Sequence, residues 1–206
     1  MQCWTRDELD ERLAASGFLP STCFGAFNPE VVAGTTDRLI AVAQRNAPVR
    51  IAAAKGPDDV EAVRRLFGAY AASLPVDLAY QDFASELASL PGKYAAPAGA
   101  LLLARTPDGA ALGCVALRPM AHAGCCEMKR LYVAPEARGL GLGRALLAAI
   151  LAEAERLDYG EIRLDTLPTM TAAIAMYREA GFVPVAPYYD TAPAGTIFLG
   201  RVLGRA

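Results

Sequence analysis

One segment decides how the chain is interpreted: VAPEARGLGLGR, residues 133–144. It lies between an apolar segment with strand character and an alanine- and leucine-rich segment with helical character. The first turn of a helix carries backbone N–H groups that have no acceptor within the helix, and these groups attract anions. Three glycines allow an anion to approach the backbone closely. We therefore predict that this glycine turn holds a phosphate group.

The spacing of the glycines excludes two common phosphate-binding motifs. A Walker loop ends in Gly-Lys-Ser/Thr, whereas Gly143 is followed by Arg144 and Ala145. A dinucleotide fingerprint, G-x-G-x-x-G, that starts at Gly139 needs glycine at position 144, where this chain has arginine. The acidic residue that such sites carry about 20 residues later, at the end of the βαβ unit, is also not found in the expected arrangement. The turn is therefore unlike the known sites for ATP, GTP or NAD. A glycine turn with a purely structural role stays open at this point.

Around this turn the sequence alternates between strand and helix patterns. Strands are predicted over residues 49–54, 101–105, 112–117, 126–133, 161–166, 182–186 and 196–202. Helices are predicted from Pro57, over residues 80–89, from the glycine turn to residue 157, and over residues 171–180. The turn Thr106-Pro107-Asp108-Gly109 predicts a hairpin between the second and third strands. The predicted fold class is α/β, of the mixed α+β kind, with an antiparallel centre.

The first part of the chain has a different pattern. Thr5 followed by Glu8 is a capping box, which predicts a helix that Gly17 can end. A second helix is predicted over residues 36–44, and alternating strands and helices begin only near residue 49. We therefore predict a helical N-terminal extension, residues 1–47, followed by the main domain, residues 48–206.

Composition limits the class of protein. The 206 residues suffice for one domain of about 150 residues with an appendage. Hydrophobic residues make up 54% and charged residues 20%, which excludes a disordered chain. A formal net charge of -2 gives no overall positive field, so no nucleic-acid partner is expected. The longest strongly apolar stretch, residues 145–152, is far shorter than the roughly 20 residues of a membrane helix, so no membrane partner is expected.

The cysteines and the start of the chain bear on compartment and metal binding. The chain contains five cysteines: Cys3, Cys23, Cys114, Cys125 and Cys126. An odd number without a C-x-x-C pair fits neither a disulfide framework nor a zinc site. Residues 1–11 lack the basic leader and apolar core of a secretory signal. We therefore predict a cytoplasmic protein without a bound metal.

Two segments together resemble one known family. The glycine turn resembles the acyl-CoA loop of the GNAT superfamily of N-acyltransferases, Arg/Gln-x-x-Gly-x-Gly/Ala, with Arg138, Gly141 and Gly143 in its three positions. AIAMYREAGF, residues 173–182, resembles the second signature of the family and follows about 30 residues later. The resemblance covers about residues 49–202. It implies a central mixed, mostly antiparallel sheet flanked by helices, an N-acetyltransferase domain over residues 48–206, and acetyl-CoA as co-substrate.

The resemblance also implies how acetyl-CoA is bound. The strand that ends at residues 131–133 would offer main-chain groups to the pantetheine arm, and the amides of residues 138–144 would hold the pyrophosphate. An N–H group near Leu131 would stabilise the thioester oxygen as it becomes an oxyanion, a contact typically worth about 2.7 to 4 kcal/mol. Members often carry Asn where this chain has Met170, so that contact is not expected here. The implied cofactor-binding residues are Leu131, Tyr132, Val133, Arg138, Gly139, Leu140, Gly141, Leu142, Gly143, Arg144, Ala173 and Tyr177.

Tyr177 and Glu127 are the candidate catalytic residues. Tyr177 matches the tyrosine of the family that protonates the departing CoA thiolate, and its alternative role is packing against the helix face of Ala173 and Ile174. Glu127 heads the strand that leads to Leu131, where similar proteins carry a glutamate base.

The role of Glu127 has competing interpretations. It is either the base that deprotonates the acceptor amine or a surface glutamate paired with Arg118 or Lys129. Asp165, near the end of the next strand, is a second candidate for the base.

The resemblance implies direct attack on acetyl-CoA by a primary amine of a small molecule, without an acyl-enzyme. Tyr188 and Tyr189 are candidates for the acceptor pocket, together with Arg118, whose guanidinium offers a fork for a carboxylate. Two alternatives stay open: a non-catalytic module that binds or senses acyl-CoA, and an acetyltransferase that acts on a protein or an aminoacyl-tRNA. A homodimer also stays open.

Overall fold

The computed structural model of the chain describes residues 5–15, 22–24, 40–42 and 49–204. The α-helices are α1 (Arg6–Ala15), α2 (Gly56–Ala72), α3 (Phe83–Ala88), α4 (Leu142–Arg156) and α5 (Thr171–Glu179). The strands are β1 (Thr22–Phe24), β2 (Ile40–Val42), β3 (Arg50–Ala53), β4 (Ala100–Arg105), β5 (Ala111–Pro119), β6 (Cys125–Val133), β7 (Glu161–Thr166), β8 (Val183–Pro184) and β9 (Ile197–Val202). Short 3₁₀ turns cover Leu78–Gln81, Gly92–Tyr94 and Pro135–Ala137.

A seven-stranded sheet in the order β3-β4-β5-β6-β7-β9-β8 forms the centre of the fold. All neighbouring strands are antiparallel except β6 and β7, which are parallel. Alternate residues of β4 face opposite layers: Leu102 packs with α4 and α5, and Leu103 packs with α2. This arrangement confirms the predicted mixed, mostly antiparallel sheet flanked by helices.

The N-terminal prediction is only partly supported. The capping box forms as expected, because the Thr5 N–H donates to Glu8 Oε2 at 2.8 Å and the Glu8 N–H donates to Thr5 Oγ1 at 3.3 Å. The helix predicted over residues 36–44 is wrong where it is described, since β2 pairs antiparallel with β1. Ile and Val in β2 are β-branched, and the cross-strand ladder outweighs their weak helical pattern. The boundary near residue 47 lies outside the described residues, so the two-part division stays a prediction.

A β-bulge in β6 shapes the centre of the sheet. Cys114 pairs with Tyr132 and Ala116 pairs with Lys129, so Val115 alone faces two residues of β6, residues 130 and 131. Arg130 occupies the left-handed region, with φ of 57°. One extra residue in a strand exchanges the faces to which the following side chains point.

The bulge decides which side chains meet which helix layer. Before it, Met128 packs with the α4 and α5 layer, and after it Leu131 and Val133 do so. The side chain of Tyr132 packs with the α2 layer, and Arg130 contacts the rings of α2 and α3 from the same side. The bulge therefore places two adjacent charged residues of β6, 129 and 130, away from the α4 core.

The sheet is open between β6 and β7. Their parallel ladder pairs residues 125–127 with residues 161–163 and ends there, although β6 continues to Val133 and β7 to Thr166. We call the resulting gap, between residues 128–133 and 164–166, the seam. Among the residues that the structure describes, no strand pairs with the backbone groups of β6 in the seam on that side.

Candidate functional site

The first cavity of the site, which we call the outer groove, runs along the end of β6. It has a volume of about 520 Å³. Its lining residues are Tyr70, Ser73, Leu74, Pro75, Leu131, Tyr132, Val133, Arg138, Thr169, Met170, Thr171, Ala172, Ala173 and Met176. Five predicted cofactor-binding residues are thus brought together, although they lie on β6, the glycine turn and α5. The sequence analysis did not predict the groove residues at the end of α2, because they belong to no sequence motif.

The glycine turn leads directly into α4. Gly139 and Gly141 both have φ of +77°, the left-handed region that glycine adopts without strain. The first main-chain hydrogen bond of the helix joins the Ala145 N–H to Gly141 O at 3.1 Å. The described residues provide no acceptor for the N–H groups of residues 142–144, which are the anion-attracting groups of a helix start.

The turn abuts the outer groove. A Cβ atom at Gly143 would lie 3.6 Å from Met176 Sδ and 3.9 Å from Val133 Cγ2, and both of those residues line the groove. The Arg144 side chain pairs with Glu179, and the Leu142 side chain is buried in the core. Both side chains are therefore engaged in contacts within the protein.

The second cavity, which we call the inner chamber, occupies the seam. It is lined by residues of both strands, including Leu131 and Asp165, and shares Tyr70, Leu74, Leu131 and Met170 with the outer groove. Tyr177 also lines it and is 6% exposed. The chamber therefore continues the outer groove into the sheet.

Tyr177 packs in the core and also lines the inner chamber. Its ring packs against Phe182 with centroids 5.8 Å apart, which is the packing role. Burial raises the pKa of the phenol well above its usual value, and the nearby Tyr70 and Asp165 raise it further. The hydroxyl group therefore stays protonated and is suited to donate a hydrogen bond.

The third cavity, the polar cleft, lies on the far side of the chamber and has a volume of about 430 Å³. Its lining residues are Gln81, Glu86, Lys93, Arg118, Pro119, Met120, Ala121, Glu127, Lys129, Tyr188, Tyr189 and Thr191. Gln81 and Lys129 line both the cleft and the chamber. The three cavities are therefore neighbours in the order outer groove, inner chamber and polar cleft, and Tyr177 and Glu127 line adjacent ones.

Glu127 is buried rather than on the surface, with 1% exposure. Its Oε2 accepts from Arg118 Nε at 2.6 Å and lies 2.5 Å from Arg118 Nη2. Its Oε1 accepts from the Tyr188 hydroxyl at 3.0 Å and lies 3.6 Å from Lys129 Nζ. Both predicted partners are therefore present, and the carboxylate faces the polar cleft while held in one orientation.

An ion pair joins the two strands beyond the end of their ladder. Lys129 Nζ on β6 lies 2.6 Å from Asp165 Oδ1 on β7. Burial would raise the pKa of Asp165, but the charge and hydrogen bond of Lys129 outweigh it and lower that pKa. Asp165 is therefore held as a carboxylate, which makes it a weaker proton acceptor than an unpaired carboxylate.

A buried ionic network supports the bulge. Arg130 donates from Nε and Nη2 to the two oxygens of Glu86, each at 2.9 Å, and the Tyr94 hydroxyl donates to Glu86 Oε1 at 2.8 Å. The sequence analysis missed this network and Lys93. The available signal was the pair Lys129-Arg130 inside a strand of otherwise apolar character.

Two exclusions apply to the described part of the chain. None of its helices is long and apolar enough to cross a membrane. In residues 5–15, 22–24, 40–42 and 49–204, no three His, Cys, Asp or Glu residues are grouped so that they could hold a metal ion.

Known proteins resemble this chain in sequence and fold. Residues 63–182 match the Acetyltransferase (GNAT) family. An uncharacterized N-acetyltransferase of Schizosaccharomyces pombe is 41% identical over 151 residues, covering 73% of this chain and 93% of that protein. A GNAT-family acetyltransferase structure from Staphylococcus aureus has a TM-score of 0.64 at 17% identity, covering 76% of this chain and all of that chain. A phosphinothricin acetyltransferase from Sinorhizobium meliloti, solved with AcCoA, has a TM-score of 0.57 at 21% identity over 76% of this chain and 89% of that chain.

Proposed function

Because the chain belongs to the acetyltransferase (GNAT) family, we propose that this acyltransferase moves the acetyl group of acetyl-CoA to a primary amine of a small molecule. The observation that carries the proposal is the row of three neighbouring cavities, in which an inner chamber of about 30 Å³ lies between the outer groove and the polar cleft. One substrate can bind at each end of this row, and the two can meet in the seam. Direct transfer then needs no acyl-enzyme.

In this proposal the main chain holds acetyl-CoA. The N–H groups of residues 142–144 bind the pyrophosphate, because they lack acceptors and the helix dipole adds positive potential. The exposed edge of β6 at residues 131–133 pairs with the amide groups of the pantetheine arm. The Leu131 N–H is our candidate donor to the thioester oxygen, since the bulge turns the backbone at that point.

Tyr177 acts on the leaving sulfur. A thiol has a pKa near 8.5, and burial raises the pKa of this phenol above its usual value, so complete proton transfer to the thiolate is uphill. A hydrogen bond from the neutral phenol still stabilises the thiolate as it forms. We therefore assign Tyr177 the role of hydrogen-bond donor to the leaving group.

Glu127 acts on the incoming amine. The amine arrives as an ammonium ion and must lose a proton before it can attack. The Glu127 carboxylate lies in the polar cleft, and Arg118 and Tyr188 fix its direction. Glu127 is preferred over Asp165 as the base, because Glu127 lines the polar cleft, whereas Asp165 lines the inner chamber and not the cleft.

The test is release of free CoA thiol from acetyl-CoA in the presence of a panel of small primary amines. We expect release that depends on the amine, together with the acetylated amine as product. The proposal would be contradicted if the protein binds acetyl-CoA but releases no thiol with any of the small amines. Release only with a protein or an aminoacyl-tRNA would move the acceptor to that class.

A further inference from the structure

The polar cleft and the residues directly behind it carry one more cation than anion. The cations are Lys93, Arg118, Lys129 and Arg130, and the anions are Glu86, Glu127 and Asp165. Lys129, Arg130, Glu86 and Glu127 are all buried. Water therefore screens the excess charge only weakly, and a ligand with one negative charge would neutralise it.

The excess positive charge is available at Lys93 and Arg118. In the described part of the chain, the recorded carboxylate partner of Lys93 Nζ is Glu86 Oε2, at 3.9 Å. That carboxylate already accepts from Arg130 and Tyr94. Burial lowers the pKa of Lys93, the positive charge of Arg118 lowers it further, and Glu86 acts in the opposite direction.

Arg118 retains donor capacity. It uses Nε and Nη2 on Glu127, and a guanidinium has five N–H groups. Its side chain is 28% exposed and that of Lys93 is 41% exposed, so a ligand in the cleft can reach both. Two cations at the wall of a small cleft are typical of carboxylate recognition.

We propose that the acceptor amine also carries a carboxylate, as an α-amino acid does, and that Lys93 and Arg118 bind this carboxylate. The inference rests on the proposed function, because it concerns the acceptor of the same reaction. Such an acceptor arrives as a zwitterion without net charge, so it does not add to the excess, and its carboxylate supplies a negative group for the two cations. A polycationic amine would add to that excess.

The layout of the cleft agrees with this acceptor. Arg118 and Glu127 present a positive and a negative group side by side, with Nη2 and Oε2 2.5 Å apart. An α-amino acid carries its two opposite charges on groups bonded to the same carbon, so its carboxylate can face Arg118 when its ammonium faces Glu127. The amine is then placed beside the proposed base.

The experiment compares L-amino acids with their carboxamides, which keep the amine and the side chain but lack the negative charge. Binding is measured by calorimetry in the presence of CoA, and turnover is measured by thiol release. We expect at least one acid to bind at least about tenfold more tightly than its amide. Lys93→Gln should reduce this ratio at least about threefold, Lys93→Arg should restore most of it, and the exposed Lys55→Gln should leave it unchanged.

The outcomes separate this inference from the proposed function. Equal binding of acids and amides, or tighter binding of amides, overturns the carboxylate inference even if amines are acetylated. Preferential binding of acids without thiol release from any amine overturns the proposed function and keeps the carboxylate site. An unchanged ratio in Lys93→Gln removes Lys93 from the site.

Discussion

The glycine turn and the polar cleft lie at opposite ends of a row of three neighbouring cavities, and they are built from different atoms. The turn offers backbone N–H groups at the start of α4, and the side chains around it are small, buried or paired elsewhere. The cleft offers charged side chains from β5 and β6, held by ion pairs and by a hydrogen bond from Tyr188 in the segment before β9. One end therefore depends on backbone conformation and the other on side-chain chemistry.

This difference bears on how each end can change. A substitution at the cleft alters charge or shape and leaves the sheet in place. A substitution at the turn acts only if it changes the backbone, since the groups that face the ligand are common to all residues. In the proposed function, the cofactor end is therefore fixed by conformation, whereas the acceptor end is free to vary in chemistry.

The largest expected effect comes from breaking the backbone of the turn. Gly141→Val should weaken acetyl-CoA binding about 100-fold or more, which corresponds to about 2.7 kcal/mol. A β-branched residue is strained at φ of +77°, and relief of that strain moves the N–H groups of residues 142–144. Titration calorimetry with acetyl-CoA measures the loss.

Gly109→Val is the matched control for the turn. Gly109 has φ of +92° in the hairpin between β4 and β5, and a Cβ there meets no atom within 4 Å, as at Gly141. The two substitutions introduce similar backbone strain. Only Gly141→Val should lose affinity for acetyl-CoA. Equal affinity in both would show that the glycine turn does not hold the coenzyme.

The next effect concerns the chamber between the two ends. Tyr177→Phe should lower kcat about 10- to 100-fold with little change in KM for acetyl-CoA, because a hydrogen bond to a charged group contributes about 1.5–3 kcal/mol. Steady-state kinetics at saturating amine measures both constants. Tyr159→Phe, which loses a 2.6 Å hydrogen bond to Ala98 O outside the three cavities, should leave both unchanged. If Tyr177→Phe leaves kcat unchanged, Tyr177 has only its packing role.

The smallest effect is expected at the cleft. Glu127→Gln should lower kcat/KM about tenfold at pH 7, because the variant cannot accept the proton of the amine. The deficit should shrink as the pH approaches the pKa of the acceptor amine, where free amine is present without a base. A pH profile of kcat/KM measures this.

A second variant tests whether loss of charge alone explains the result. Glu153→Gln removes the charge from a surface ion pair with Arg156 on α4 and should leave the profile unchanged. A deficit in Glu127→Gln that is the same at every pH would assign Glu127 a positioning role instead.

Local sequence patterns predicted most of the main fold. The bounds of β7 agree with the prediction over residues 161–166, and α4 and α5 end within a residue of their predicted ends. Glycine turns and residue periodicity are local signals, so one sequence suffices to place such elements. The strand β2 was mistaken for a helix, because three residues gain their strand conformation from pairing with β1.

The candidate site was predictable only where it has a motif. The prediction named the three groove residues of β6 and, on α5, only Ala173, and the structure brings these residues together. The bulge at Arg130 and the burial of Glu127 with Arg118 and Tyr188 were not predictable in detail. Both depend on which residue of a neighbouring strand or loop stands opposite, and the spacing along one strand does not encode that.

The short ladder between β6 and β7 bears on how long the folded protein lasts. Three residues of each strand and one ion pair join the two halves of the sheet at this point. In the proposed function, the pantetheine arm supplies bonds that the strands do not make with each other. A ligand at 100 times its dissociation constant adds about 2.7 kcal/mol to folding stability, and a melting curve at rising coenzyme concentration would register it. Abundant acyl thioester would then protect the enzyme from unfolding and proteolysis, and scarcity would shorten its lifetime.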